Sequence, residues 1–207
     1  MRAKYLLLLS SFILLFGCNT KNALPVYGNK TVVVNSEGKT DSIDYVLPDF
    51  GFVNQDSQLV SLASLKDKII VTEFFFTACP SICPKMQAQM LRVYEKYKAD
   101  PNVVILAFTI DPARDSVGRL KAYEAKLGIE SSKWHLLTGN KDSIYAIAEN
   151  FLVSAAEDPD APGGHVHSGN FILVDKQKRL RGYYDGTKDE SVTKLLEETD
   201  ILLGEKQ

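Results

Sequence analysis

The chain is short of what several function classes require. Its 207 residues contain three cysteines, three histidines and one tryptophan, with no arginine-rich run. The formal charge is −2 and no basic patch interrupts it, which argues against nucleic acid and against electrostatic binding to a membrane surface. The apolar run near the start, Tyr5 to Phe16, covers twelve residues. A bilayer core needs about 20, so this run is too short for a permanent transmembrane helix. What is plentiful is core material: 45% of the residues are hydrophobic, ample for one domain.

Arg2 and Lys4 before the apolar run, and a small residue after it, have the layout of an export signal. The segment Leu15-Phe16-Gly17-Cys18 resembles the bacterial lipobox, whose cysteine is acylated and becomes the new N-terminus. The expectation is a lipoprotein signal peptide over residues 1–17 and a lipid on Cys18. The domain would then sit on the extracytoplasmic side of a bacterial envelope membrane. Removing residues 1–17 takes away two bases and no acids, so the charge becomes −4. Lipidation also uses one cysteine and leaves only Cys79 and Cys83, with none for a structural staple. In an oxidising compartment two lone thiols join in a disulfide unless a metal or a dedicated reductant holds them.

Residues 18–44 are polar and broken by Asn22, Gly28, Asn29, Asn35 and Gly38, and read as a tether. Within it Thr31 to Val34 and Ile43 to Leu47 suggest a small hairpin. From residue 45 to 207 strand and helix patterns alternate: strand Ile69 to Phe76, helix Pro84 to Lys98, strand Val103 to Ile110, helices Ser116 to Leu127 and Ser143 to Phe151. A hairpin, Phe171 to Val174 with Leu180 to Tyr184, and a closing helix, Asp189 to Leu203, complete the pattern. That order predicts an α/β, thioredoxin-like fold, a central mixed sheet flanked by helices with an N-terminal hairpin extension. Met86, Met90, Val93, Tyr94 and Tyr97 recur at helical spacing and make one apolar face. The methionines are therefore read as core and not as soft-metal ligands.

Cys79 and Cys83 sit where the apolar strand Ile69 to Phe76 gives way to a helix. The free N–H groups of that helix, and the positive end of its dipole, favour thiolates there. A thiolate is both a nucleophile and a metal ligand, so the pair suits redox exchange, soft-metal binding, or both. A loop rich in Asp, Pro and Gly ends in His165-Val166-His167 just before the hairpin strand that should lie beside the first. Two histidines delivered to the dithiol suggest a ligand. Asp111 reaches the same sheet edge, where a turn role before Pro112 is favoured over ligation. His135 matches no motif.

Together these motifs resemble the Sco/SenC family of copper chaperones across nearly all of residues 47–203. The family's Cys-Pro-x-x-Cys-Pro is matched by Cys79 to Pro84 and its Asp-Pro-x-Arg-Asp by Asp111 to Asp115. Its Leu-Thr-Gly is matched by Leu137 to Gly139, and its His-Ser/Thr before a strand ending in Asp by His167-Ser168 to Asp175. The resemblance implies one copper ion held by Cys79, Cys83 and His167. It also implies delivery to the copper-bearing subunit of cytochrome c oxidase, with a copper donor or thiol reductant as a further partner. His167 is taken over His165 on register, since it precedes Asp175 by eight residues as the family's ligand does. Val166 departs from the Asp that commonly precedes that ligand. The alternative is a membrane-anchored thiol-disulfide oxidoreductase using Cys79 and Cys83 as a redox pair, although three residues separate the cysteines instead of two. A peroxiredoxin lacks its Pro and Thr here, at Thr72 and Phe76. A closed zinc site would recruit His165 as a fourth ligand.

Overall fold

The structure is a computed structural model and describes residues 23–205; the expected signal peptide and Cys18 lie outside the described residues. In chain order a ribbon of β1 (Thr31–Val34) and β2 (Thr40–Ile43) precedes a second of β3 (Gly51–Val53) and β4 (Leu59–Ser61). Then follow β5 (Ile69–Phe75), α1 (Cys83–Tyr97), β6 (Val103–Thr109), α2 (Val117–Leu127), β7 (Trp134–Leu137) and α3 (Lys141–Asn150). The chain closes with β8 (Ala155–Glu157), β9 (His165–His167), β10 (Asn170–Val174), β11 (Leu180–Asp185) and α4 (Asp189–Gly204).

The central sheet has the order β11-β10-β5-β6-β7. Strands β5 and β6 are buried at every position, as expected for parallel strands covered on both faces by helices. They pair in parallel from Ile69↔Val103 to Phe75↔Thr109, and β7 continues the parallel set from Ile105↔Trp134. On the other side β10 runs antiparallel to β5, with Ile172 opposite Thr72, and β11 antiparallel to β10. This mixed sheet with flanking helices is the thioredoxin-like arrangement. Met86 and Met90 are fully buried on α1 beside Val93 and Tyr97, so their periodicity reports packing.

Several boundaries differ from the sequence pattern for local reasons. The second strand of the N-terminal ribbon is Thr40–Ile43, where the pattern suggested Ile43 to Leu47, because the turn closes early. The Asn35 side chain accepts from the backbone N–H groups of Glu37 and Lys39, and Gly38 takes φ +75°, so pairing starts at Val34↔Thr40. Helix α2 starts behind Ser116, whose hydroxyl accepts from the Arg119 N–H, and α3 starts two residues earlier than its pattern because Asn140 caps it. The short strand β7 and the ribbons β3–β4 and β8–β9 gave too little periodicity to read. Upstream of β1 the chain is docked from Leu24 onward. Tyr27 bridges to Leu180 on β11, and Arg181 donates to the carbonyls of Leu24 and Pro25 at 2.8 and 3.0 Å.

Candidate metal centre

Strand β5 is buried along its whole length and leaves the core after Phe76, and polar side chains fix its exit. Asp115, fully buried, accepts from the Thr77 N–H at 3.0 Å, from the Thr77 hydroxyl and from the Thr109 hydroxyl at 2.6 Å. Arg119 donates in turn to Thr77 Oγ1 at 2.6 Å. The turn that follows, closed by the Cys79 N–H on the Phe76 carbonyl, presents Cys79 half-buried at the sheet edge. Cys83 is the first residue of α1, and Pro84 follows where its missing N–H costs nothing. Cys83 faces inward and is 2% exposed.

The third member arrives on β9. Among the described residues, one cluster of possible ligands satisfies metal spacing: the ligating atoms of Cys79, Cys83 and His167 all lie within 4.8 Å of one another. His167 Nδ1 lies 2.9 Å from the Ser168 carbonyl oxygen, which can only accept, so Nδ1 carries the proton. Nε2 is then a free lone pair, 3.5 Å from Cys83 Sγ. Burial holds the His167 imidazole below its usual pKa, against the Ser168 carbonyl which favours the charged form.

The two thiols differ. Burial pushes the Cys79 thiol up, but hydrogen bonds from the Cys83 thiol, from the N–H groups of Cys83 and Ser81 and from the Ser81 hydroxyl outweigh it, and the net direction is downward. Cys83 is pushed far up, first by burial and then by the hydrogen bond it gives to Cys79. The helix N-terminus therefore stabilises one thiolate in the metal-free protein and not two, because the second sulfur lies inside the core.

His165 belongs elsewhere. It shares a face of β9 with His167, but its Nε2 lies 3.6 Å from Asp111 Oδ2 and its Nδ1 3.5 Å from the Tyr145 hydroxyl. The Phe76 ring packs against both imidazoles, with centroids 5.3 Å from His165 and 6.0 Å from His167. A four-ligand zinc cage is thus left without its fourth member. Asp111 is a turn residue, as its sequence context suggested: it binds the Arg114 N–H and guanidinium, and Arg114 reaches on to the Gly163 carbonyl at 2.6 Å. His135 is half-buried on β7, 3.4 Å from the Asn54 amide and away from the cluster.

The glycine-rich loop before β9 is built into a ribbon. Ala155 pairs with His167 and Glu157 with His165, and Gly163 and Gly164 turn the chain at φ +86° and +85°. A Cβ on Gly163 would come within 2.7 Å of the Phe76 ring. Sequence reading missed this clamp, Thr77, and the Ser168 carbonyl. The one acid in the buried run of β5, Glu73, was the visible signal it left unused. Two hollows flank Cys79, one of about 300 Å³ between α1 and α2 and one of about 150 Å³ beneath β9. An incoming group can reach that sulfur from either.

A thioredoxin-like domain with a dithiol at the strand-to-helix junction and a neutral imidazole facing it defines a class, the soft-metal and thiol-exchange proteins built on this fold. The family model described as SCO1/SenC matches residues 38–200, and the chain belongs to that family. The SCO1/SenC family lipoprotein from Bacillus anthracis str. Ames is similar in structure, with a TM-score of 0.70 at 28% identity, covering 77% of this chain and 95% of that one. BsSco, a member of the Sco family of cytochrome c oxidase assembly proteins in which a disulfide switch was identified, gives 0.69 at 29%, over 78% and 95%. Copper-bound ScoI of Arabidopsis thaliana shares the fold at 0.62 and 24%, over 74% and 95%.

Proposed function

We propose that the chain is a copper metallochaperone that serves cytochrome c oxidase assembly, anchored through a lipid on Cys18. One observation carries this reading: two sulfurs and an imidazole nitrogen, all within 4.8 Å of one another, at a partly open sheet edge. Two thiolates and one imidazole make a soft, roughly trigonal donor set suited to Cu(I). The Ser168 carbonyl presets the His167 tautomer so that Nε2 binds without a proton to displace. Copper capture then removes the Cys83 proton, and release proceeds by ligand exchange through half-buried Cys79. A three-coordinate site leaves room for the incoming thiolate of the oxidase subunit. Membership of a family that includes a cytochrome c oxidase assembly protein supports the acceptor.

Copper stoichiometry in the reduced domain tests it. Cys79→Ser, Cys83→Ser and His167→Ala are each expected to abolish one-to-one high-affinity Cu(I) binding, whereas His165→Ala retains it. Equal loss from His165→Ala would overturn the assignment.

The thiol asymmetry favours a second activity at the same residues. Cys79, held toward the thiolate, would attack a partner disulfide and release one partner thiolate. Cys83 would then lose its proton and displace the other, leaving a Cys79–Cys83 disulfide and a reduced partner. Stoichiometric reduction of the disulfide form of an oxidase-type two-cysteine site, lost in Cys79→Ser, measures it.

A further inference from the structure

Glu73 lies in β5, six residues before Cys79, and has no exposed surface. Its side chain meets α1 through one hydrogen bond, in which Gln87 Nε2 donates to Glu73 Oε1 at 3.0 Å. The other halves of both groups, Glu73 Oε2 and Gln87 Oε1, are buried with no hydrogen-bond partner. Each such acceptor is costly to leave unpartnered, and turning the Gln87 amide over would set its oxygen against Glu73 Oε1 with no donor between them. A single proton on Glu73 Oε2 would let the acid donate to the Gln87 carbonyl while the Gln87 amide donates back, partnering both oxygens at once.

The surroundings favour the same state. A charge on Glu73 would act against the thiolate of Cys83 on α1, and Tyr123 on α2 feels Glu73, Cys83, Asp115 and Cys79 together, so a further negative charge is disfavoured there. Burial lifts its carboxyl to about 8, against the Gln87 hydrogen bond that lowers it.

We propose that Glu73 is held as a neutral carboxylic acid, locked head to head with the Gln87 amide, and that this uncharged pair sets the dithiol site's preference for a monovalent cation. The inference rests on the soft-metal reading above. Two thiolates, a neutral imidazole and a monovalent ion leave one net negative charge in the site; an ionised Glu73 would add another nearby and shift the balance toward a divalent ion. Glu73 touches no metal in this scheme and acts as a charge-setting residue behind the ligands.

Two measurements decide it. In the metal-free protein labelled with 13C-carboxyl glutamate, infrared spectra at neutral pH are expected to show a protonated-carboxyl band that fades as pH rises through about 8. Glu73→Gln removes it. Absence of that band in the wild type overturns the proposal without touching the copper reading, and needs no variant to fold. In the second, affinities for Ag(I) and Cd(II), neither of which oxidises thiols, are compared from pH 6 to 10. The wild-type Cd(II)-to-Ag(I) ratio is expected to climb by up to about tenfold per pH unit as the Glu73 transition is approached from below and to level off above about 8, while Glu73→Gln shows no such climb. Parallel profiles in the two proteins would overturn the charge-setting role even if the acid is confirmed.

Discussion

At the scale of single residues the site is an unequal pair of thiols and a preset imidazole. Cys79 titrates below its usual range and Cys83 well above it. In the metal-free reduced protein at neutral pH, iodoacetamide is therefore expected to modify one sulfur, Cys79, as read by peptide mass spectrometry. The sign follows from the thiolate being the nucleophile: the rate stays high above the Cys79 pKa, falls as pH drops through it, and has its midpoint below the ~8.5 of a free thiol. Selective labelling of Cys83 would contradict this. The cysteines were legible because a buried strand running into a helix fixes where the next side chains surface, and His167 because its register matched a family pattern. The carbonyl that sets the tautomer was not legible. Backbone acceptors carry no sequence signature, and Ser168 places its carbonyl there only after β9 turns into β10.

At the scale of elements, the histidine arrives on a clamped ribbon. Arg114 ties the turn at Gly163 to Asp111, and Asp111 also faces His165, so one acidic residue at the end of β6 holds both ends of the loop. Arg114→Ala is expected to speed amide exchange across residues 158–166 and to raise the copper off-rate, with the fold intact. An unchanged off-rate would remove the clamp from the mechanism. Gly163→Ala forces a side chain into φ +86° and against the Phe76 ring, so a loss of about 1–3 kcal/mol is expected in urea unfolding. The long elements β5, β6, α1 and α4 could be read from period and burial because each has enough residues to express them. The ribbons β3–β4 and β8–β9 could not, since three-residue strands have no measurable period and are set by tertiary pairing.

At the scale of the molecule, the sheet has two ends with different tasks. The cluster stands beyond the carboxyl ends of β5 and β6. The docked segment at Leu24 to Tyr27 meets the opposite end, because Leu180 pairs with Val174 and Val174 with Ile70 near the start of β5. Arg181 anchors that segment and also binds Asp175 at 2.8 Å, both side chains being buried. Arg181→Ala is expected to cost about 3 kcal/mol and to open residues 24–27 to proteolysis. Among the described residues no helix is long and apolar enough to cross a membrane.

That docking converts a loose attachment into a short leash. Counting from Cys18, only six residues precede Leu24, a reach of at most about 20 Å. With the proposed lipid in place, the domain would stand with its foot close to the bilayer and its thiols on the far side, about one strand length, ~20 Å, further out. The height at which an acceptor must present its copper site is then set by where Arg181 docks the chain, since that leaves only the residues ahead of Leu24 as a free leash and not the whole stretch to β1.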